Sequence, residues 1–180
     1  MHFDTRQITR KRPINIIVAV DCAGGFGKGG NIPWHFSEDL KRFKKITDKA
    51  ACIMGRKTYD DMLEMVKKRN KDKEITELLP NRQCIVVTSD VNKELEGATR
   101  ASSLNDAIKQ AHGNREIFVV GGEKMYVEAL SAARRVEMTI VKGESYDCDR
   151  FFPVEYLHEK FKITEGEQTD DLYFVTYNRR

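Results

Sequence analysis

The chain has 180 residues, of which 40% are hydrophobic and 33% charged, a composition that fits one folded domain and excludes a chain disordered throughout. Its 31 basic and 28 acidic residues nearly cancel to a net charge of +3, so overall charge does not indicate a nucleic acid or a membrane as partner. The four cysteines form no CxxC pair and no apolar run approaches a bilayer span, which predicts a cytoplasmic protein without a structural zinc site or a disulfide framework.

The first residues differ from the rest of the chain. Residues 1–13 are polar and basic, so we predict a flexible extension before a single domain over residues 14–180. From Ile14 a β-branched run continues to Val20, which is typical of a buried strand. Similar runs, each predicted to be a strand, follow at residues 51–54, 84–89, 117–120 and 136–141.

Helical spacing occurs between these runs. It begins after Ser37, a candidate N-cap, and recurs in three later segments. The four predicted helices cover residues 36–46, 57–66, 104–111 and 123–130. The alternation predicts an α/β domain with a mainly parallel sheet and helices on both faces. Two final strand-like runs, at 161–165 and 172–177, predict a C-terminal antiparallel hairpin, which makes the sheet mixed.

A glycine-rich segment follows the first strand, and residues 25–30 match GxGxxG. A dinucleotide-binding fingerprint also requires a helix directly afterwards and an acidic residue about twenty positions on. Pro33 opposes such a helix, and Lys45 stands near the place where the acid is needed. We therefore reject that interpretation and predict a long mobile loop that ends at Trp34 and closes over a cleft.

Asp39 lies near the start of the first predicted helix and shares a face with Phe43. Its carboxylate thus borders an apolar stripe, which makes it a candidate for binding a cationic or donor-rich heterocycle. The alternative is an ordinary first-turn acid that the helix dipole stabilises.

Two junctions between a strand and a helix have features of phosphate sites. Arg56, Lys57 and Thr58 stand where the second helix begins, and Gly121 and Gly122 precede the fourth. The alternatives are that polar residues flank most helix starts and that a glycine pair serves close packing.

The charged run at residues 67–74 is predicted to be a solvated loop or helix end, with a partner-binding patch as the alternative. The histidines show no ligand spacing with each other or with the cysteines, so no metal site is predicted.

These landmarks occur in the order found in dihydrofolate reductases, and the chain resembles that family from residue 14 to its end. The matching stretches are GFGKGGNIPW at 25–34 followed by Asp39, Leu40 and Phe43, IMGRKT at 53–58, LPNR at 79–82, VVGG at 119–122 with Tyr126, Thr139, and Phe152-Pro153.

The resemblance implies NADPH-dependent reduction of 7,8-dihydrofolate to 5,6,7,8-tetrahydrofolate, with hydride transfer to C6 and protonation at N5, in support of thymidylate and one-carbon metabolism. It also implies antifolate inhibitors as ligands. The implied catalytic residues are Asp39, which binds the pterin, Thr139, which braces Asp39, and Trp34 on the loop that controls access.

The resemblance also assigns the two binding sites. Implied substrate-binding residues are Ile17, Val18, Asp39, Phe43, Met62, Leu79, Arg82, Val120 and Tyr126. Implied cofactor-binding residues are Ala19, Phe26, Gly27, Ile32, Gly55, Arg56, Lys57, Thr58, Thr88, Ser89, Gly121, Gly122, Glu123, Lys124 and Met125. Arg82 would pair with the substrate's α-carboxylate, and Arg56 near the adenosine 2′-phosphate predicts NADPH over NADH.

The chain departs from the family pattern in three places. Asp61 stands where serine is usual, Tyr59 replaces a tryptophan, and residues 63–78 form a longer segment than in compact bacterial members, which leaves Met62 less firmly aligned. Two other functions stay open at this point. One is a reductase of the same fold acting on a ribosylaminopyrimidine, and the other is a catalytically silent binding module that takes folate, a nucleotide or RNA.

Overall fold

A computed structural model describes residues 12–71 and 73–180, along which ten strands and five helices occur. Residues 1–11, most of the predicted extension, lie outside the described residues, and the start of the domain at residue 14 stays a prediction. The side chain of Arg12 donates hydrogen bonds to the carbonyls of Ala111 and Arg115, at 2.5 and 2.9 Å. Across these ranges, no helix has the length and apolar character needed to cross a membrane.

All the predicted strands and helices form, with shifted ends. The strands are β1 Ile14–Val20, β2 Gly25–Gly27, β3 Ala51–Gly55, β4 Gln83–Val87, β5 Thr99–Ala101, β6 Ile117–Gly121, β7 Ala133–Val141, β8 Arg150–Phe151, β9 Phe161–Gln168 and β10 Leu172–Arg179. The helices are α1 Ser37–Ile46, α2 Arg56–Arg69, α3 Leu104–Gln110, α4 Glu123–Leu130 and α5 Val154–Lys160.

The main sheet has the order β5-β4-β3-β6-β1-β7-β10-β9. Neighbouring strands from β5 to β7 run parallel, and β10 pairs antiparallel with both β7 and β9. This confirms the predicted mixed sheet with its C-terminal hairpin. The hairpin is longer than expected, because β9 continues to Gln168 and only residues 169–171 form the turn.

Side-chain alternation along the strands divides the core between the two faces of the sheet. On β1, Ile16 and Val18 belong to the cluster packed against α3, α4 and α5, whereas Ile17 belongs to the cluster packed against α1 and α2. Helices therefore cover both faces, as the sequence predicts.

Several local predictions need correction. Ser37 is the first residue of α1 and not its N-cap; Phe36 holds that position in extended conformation, and no side chain caps the helix. Serine is the residue type that an N-cap favours, but the helical conformation already begins at Ser37, so the N-cap position falls on Phe36. The sequence also missed β2, β5 and β8, because strands of two or three residues are too short to show alternation, and it missed α5, a helix of seven residues.

The cleft opens where two central strands separate. β1 pairs with β6 only from Ile14 to Ile16, although it pairs with β7 as far as Val20. The Tyr126 hydroxyl lies in the gap, 3.0 Å from the carbonyl oxygen of Ile17 and 2.9 Å from that of Val120. Ligands of open α/β sheets bind at such a place, beyond the carboxyl ends of the strands.

Candidate active site

Asp39 of α1 and Thr139 of β7 meet at the cleft. The Thr139 hydroxyl donates a 2.7 Å hydrogen bond to Oδ1 of Asp39, across 100 positions of sequence. Burial raises the pKa of Asp39, while the bond from Thr139 and the charge of Arg42 oppose that rise. The structure thus brings together the two residues that the sequence comparison pairs, and leaves the second carboxylate oxygen of Asp39 without a hydrogen-bond partner among the described residues.

A second charged cluster, not anticipated from the sequence, lies beside Asp39. Arg42 donates a 2.9 Å hydrogen bond to Glu137, which also accepts one of 2.8 Å from Thr176. Arg135 forms an ion pair of 3.0 Å with the other oxygen of Glu137. Spacing places Arg42 one helical turn after Asp39, and Glu137 on the same face of β7 as Thr139, but only the packing of α1 against β7 brings the two together.

An apolar wall adjoins Asp39. Ile17 and Val120 are buried in the cluster on the α1 and α2 side of the sheet, and Phe43, Met62 and Leu79 pack against it partly buried. These five predicted substrate-binding residues therefore lie together. The side chain of Val18 points to the opposite core, as alternation along β1 requires, so only its backbone borders this wall.

Arg82 is held rigidly at the end of this wall. It is only 8% exposed and donates to the carbonyl of Pro80 at 3.1 Å and to Oγ1 of Thr47 at 3.1 Å. Its guanidinium also lies over the ring of Phe43, 5.9 Å from the centroid. An arginine fixed in this way presents its remaining donors in a preset direction, which suits bidentate carboxylate binding.

The starts of α2 and α4 form a second part of the cleft. Gly55 and Gly122 are their N-cap residues, and no side chain caps either helix. The peptide bond between Gly121 and Gly122 is cis. A Cβ placed on Gly121 or Gly122 would lie 2.9 or 3.3 Å from Oγ1 of Thr58. The two helix starts form a cradle suited to a phosphate group, because it offers backbone amides and the Thr58 hydroxyl, and the glycines leave the space free of side chains.

An ion-pair group surrounds Arg56. Its Nε lies 3.2 Å from Asp60 and its Nη1 lies 3.0 Å from Asp90, while Lys93 contacts Asp60 at 2.5 Å. The Thr88 hydroxyl accepts a hydrogen bond from the Asp90 amide at 3.1 Å. Arg56 and Thr88, both implied to bind the cofactor, are thus linked through Asp90. Carboxylates that the family resemblance does not include already form ion pairs with Arg56.

The remaining predicted cofactor residues differ in exposure. Met125 is buried, and its side chain lies 3.5 Å from where a Cβ on Gly55 would stand. The exposed ones are Ile32, Lys57, Ser89, Glu123 and Lys124. Gly27 is buried in β2.

Two aspartates that the sequence analysis missed fasten the glycine-rich loop. Asp21, 1% exposed, accepts hydrogen bonds from the amides of Ala23 and Gly25, each at 2.9 Å, and from Tyr146 at 3.0 Å. Asp149 accepts one from the amide of Gly29 at 2.9 Å. The loop is therefore tied to the segment between β7 and β8, and its first residues pair with β8 as a strand.

Aromatic contacts continue this attachment. Phe26 meets Tyr126 edge-on, with ring centroids 5.4 Å apart, and Trp34 meets Tyr146 at 5.2 Å. Ala19 stands opposite Thr139 in the β1 and β7 register, so the strand that leads into the loop passes beside the Asp39 pair.

Asp61, the departure from the family pattern, is half-buried on α2. Burial raises the pKa of its carboxyl group, and the charges of Lys57 and Arg150 partly offset that effect. Two cations near it therefore reduce the repulsion that an anionic ligand would meet at this position.

Comparisons with known proteins agree with this geometry. The family model described as dihydrofolate reductase matches residues 13–179. The chain belongs to the dihydrofolate reductase family. Among relatives of that name, the protein of Bacillus subtilis is 38% identical over 174 residues, covering 93% of this chain and 95% of the relative. A relative from Buchnera aphidicola is 34% identical, over 91% of this chain and 94% of the length of that relative.

A solved structure supports the same assignment at the level of the fold. Dihydrofolate reductase from Enterococcus faecalis, complexed with NADP(H) and RAB-propyl, matches with a TM-score of 0.76 and 27% identity, over 94% of this chain and 98% of that chain. The family model extends over all fifteen elements described above, so the mixed sheet and the cleft between β1 and β6 are those of a dihydrofolate reductase fold.

Proposed function

We propose that this chain reduces 7,8-dihydrofolate to 5,6,7,8-tetrahydrofolate with NADPH as the hydride donor. The observation that carries the proposal is the hydrogen-bonded pair Asp39 and Thr139, set against an apolar wall at the mouth of a glycine-lined cradle. A flat, donor-rich ring fits the first part, and a diphosphate fits the second. Membership of the family supports the reaction, and the geometry supports the residue roles.

The residues at the cradle fit NADPH. Thr58 and the first amides of α2 and α4 would hold the pyrophosphate, since neither helix start has a side-chain cap and the glycine pair leaves the space open. Arg56, with Thr88 and Ser89 near it, supports a preference for the 2′-phosphate of NADPH over NADH. When bound, NADPH supplies the hydride that reaches C6 of the pterin.

The chain's own residues perform the other steps. Asp39 accepts hydrogen bonds from the pterin's 2-amino group and N3, with Thr139 fixing the carboxylate's orientation. The negative charge of Asp39 favours protonation at N5 from a water molecule. The apolar side chains of Ile17 and Phe43 hold the ring, and the loop that ends at Trp34 limits entry of bulk water.

Arg82 would bind the α-carboxylate of the substrate's tail. This role is supported by the contacts with Thr47, Pro80 and Phe43, which fix the Arg82 side chain in one conformation. The guanidinium therefore needs no rearrangement before it binds a carboxylate. Because this contact is remote from C6 and N5, it should bind the ground state and the transition state alike.

The cytoplasm is the proposed compartment. All four cysteines are free, although Cys52 and Cys84 stand opposite each other on the parallel strands β3 and β4. Burial raises the pKa of Cys52 to about 12 and that of Cys84 to about 11, so both remain unreactive thiols. A protein with only thiols suits a reducing environment.

The direct test follows NADPH absorbance with dihydrofolate added or withheld. Oxidation of NADPH that requires dihydrofolate and yields tetrahydrofolate is expected. A ribosylaminopyrimidine of riboflavin synthesis serves as the control substrate. Turnover of that compound, with none of dihydrofolate, would show that the proposal names the wrong reaction.

Asp39→Asn tests the role of the carboxylate. The amide keeps the size and an acceptor for Thr139 but loses the charge, so kcat at neutral pH should fall by about 10²-fold or more. NADPH affinity should stay within a few fold. Activity should recover partly as pH falls, because an already protonated substrate needs less help.

The same variant distinguishes a functional acid from a helix-start acid. Because burial raises the pKa of Asp39 in the folded protein, its ionised form costs stability at pH 7. The variant should therefore melt no lower than the wild type. A lower melting temperature with unaltered turnover from pH 5 to 9 would assign Asp39 to the helix start alone.

A further inference from the structure

The charged cluster of Arg42, Glu137 and Arg135 has no part in the function proposed above. Glu137 is 7% exposed, and it lies between the two arginines, with Arg42 at 2.9 Å from one oxygen and Arg135 at 3.0 Å from the other. Arg135 has a second partner at the surface, Glu116, at 3.2 Å. One buried carboxylate is thus shared by two cations.

Arg42 is clamped in this cluster. Its side chain is 18% exposed, and its guanidinium lies over the ring of Phe174 at 5.0 Å from the centroid. An arginine does not lose its proton inside a protein, and this one cannot turn into solvent without leaving Glu137 unpaired on that side. Its charge is therefore a fixed feature of the interior.

Glu137 does not satisfy all the hydrogen-bond donors of Arg42. Nη1 of Arg42 is buried and has no hydrogen-bond partner among the described residues, and the oxygen of Glu137 that it contacts also accepts from Thr176. Asp39 lies three residues earlier on α1, on the adjacent turn, where the field of Arg42 reaches it.

We propose that Arg42 is a positioning residue for the reaction: fixed by Glu137 and Phe174, it stabilises the negative charge of the Asp39 carboxylate inside the pocket. The proposal rests on the role assigned to Asp39 under the proposed function. Burial favours the neutral acid, and a neutral acid neither attracts the pterin's donors nor favours a proton on N5.

Among the described residues, Thr139 of β7 donates a hydrogen bond to Asp39, and Arg42 on the same helix acts on it through its charge. Glu137 of β7 is the ion-pair partner of Arg42. Tyr126 of α4 is uncharged, since burial and the charge of Asp39 both raise the pKa of its hydroxyl. Ile17 of β1 and Thr176 of β10 carry no charge. Arg42 is thus the cation whose field acts on Asp39, and Glu137 is the anion paired with that cation.

A purely structural role for the pair is the competing explanation. Buried ion pairs often contribute little to stability, because desolvation of both charges offsets their attraction. A structural pair would change the melting temperature when removed and leave the ionisation of Asp39 as it was. An electrostatic role moves that ionisation whatever happens to stability.

The test is the titration of Asp39 in the complete, ligand-free protein, read from carboxyl ¹³C signals of protein labelled at aspartate. Asp39→Asn assigns the signal. In Arg42→Met the pKa of Asp39 should rise by about 0.5 to 1, the effect of losing a charge several ångströms away in a medium of intermediate dielectric. Arg42→Lys keeps a charge and should return the pKa most of the way to the wild-type value.

Two further variants keep the test decisive. Arg42→Met with Glu137→Gln leaves no half-paired buried carboxylate and should still raise the pKa, but by less than Arg42→Met, because the anion paired with Arg42 is removed with it. The answer therefore does not depend on the single variant folding. Arg135→Met removes the other cation of Glu137, which lies on the side of that carboxylate away from Thr139, and is the matched control with a change of less than about 0.2 expected.

The proposal is overturned if Asp39 titrates alike in the wild type, Arg42→Met and the double variant. It is also overturned if Arg135→Met shifts the pKa as much as Arg42→Met does. Both comparisons measure the pKa of Asp39 and do not depend on turnover. A negative result in the titration therefore leaves the reductase assignment standing, and a negative reductase assay leaves the titration interpretable.

Discussion

At the scale of the residue, Arg82 shows how the fold holds one side chain in a single conformation. Thr47 and Pro80 each accept one of its hydrogen bonds, and Phe43 lies under the guanidinium. Side-chain freedom lost during folding does not have to be lost again on binding, so an arginine held in this way binds a carboxylate at lower entropic cost.

Arg82→Leu should therefore raise KM for dihydrofolate with little change in kcat, because the tail contact is alike in the ground and transition states. A charge-assisted bidentate contact contributes about 1.5 to 3 kcal/mol, which corresponds to a rise in KM of roughly 10 to 150-fold. Steady-state kinetics with varied dihydrofolate at saturating NADPH measures both constants.

Arg179→Leu is the matched control. Arg179 also lies over an aromatic ring, that of Phe161 at 4.6 Å, and donates to the carbonyls of Ala133 and Leu130, but it is at the far end of β10. Its loss should lower the melting temperature and leave KM unchanged. An equal rise of KM in both variants would remove the assignment of Arg82 to the tail.

At the scale of the element, Asp21 joins two loops that are far apart in sequence. It directly follows β1 and accepts hydrogen bonds from Gly25 in the glycine-rich loop and from Ser145 and Tyr146 beyond β7. The fit is close, since a Cβ on Gly25 would stand 2.4 Å from Cβ of Cys148. One carboxylate thus fixes the first residues of the glycine-rich loop.

The pKa of Asp21 gives this link a pH signature. Burial alone would raise the pKa, but hydrogen bonds from Tyr146, Gly25, Ala23 and Ser145 hold it below its usual value of 3.8. A depressed pKa contributes stability above the unfolded value, and that stability is lost as pH falls through the folded value.

Asp21→Asn should accordingly lower the free energy of unfolding by about 1.5 to 3 kcal/mol at pH 7, the scale for hydrogen bonds to a buried charge. The deficit relative to the wild type should stay constant from pH 5 to 8 and shrink below about pH 4. Urea unfolding at a series of pH values measures it. A deficit that is the same at pH 3 and pH 7 would contradict the charge-based explanation.

At the scale of the whole molecule, cofactor binding and folding are linked, because the cradle is built from two helix starts that only the folded chain brings together. A ligand at 100 times its Kd adds about 2.7 kcal/mol to stability. For a chain of this length that corresponds to a rise in melting temperature of roughly 5 to 10 °C.

Gly121→Ala should abolish most of the rise that NADPH produces, because the new methyl would lie 2.9 Å from Oγ1 of Thr58 and close the cradle. Gly143→Ala is the control, since Gly143 also has a positive φ, +99°, but nothing lies within 4 Å of its Cβ position. Both variants should lose about 1 kcal/mol or more of stability in the absence of NADPH.

Thermal melts without NADPH measure the stability lost by placing alanine at a positive φ. Melts with NADPH measure whether the cofactor still binds. The control should keep the full cofactor-dependent rise. An undiminished rise in Gly121→Ala would mean that the pyrophosphate binds elsewhere.

The sequence by itself determined the long elements and their order, because a buried strand such as β1 or a helix such as α4 repeats its apolar positions often enough to show a period. Its motifs, taken with the family resemblance, also placed Asp39, Arg82 and the glycine pair in one cleft. Short elements such as β2 and β8 carry no period, and they form only because each supplies the other's hydrogen bonds.

Tertiary structure alone decided which charges meet. Arg42 and Glu137 are 95 positions apart, and Asp21 and Tyr146 are 125 apart; each looks like one of many charged or polar residues until the sheet brings α1 over β7 and the loops together. The energy of such a pair depends on the distance between the two groups and on their burial, and neither can be predicted from the neighbouring sequence. That is why the pocket carboxylate could be found from its motif, while the cation that acts on it could not.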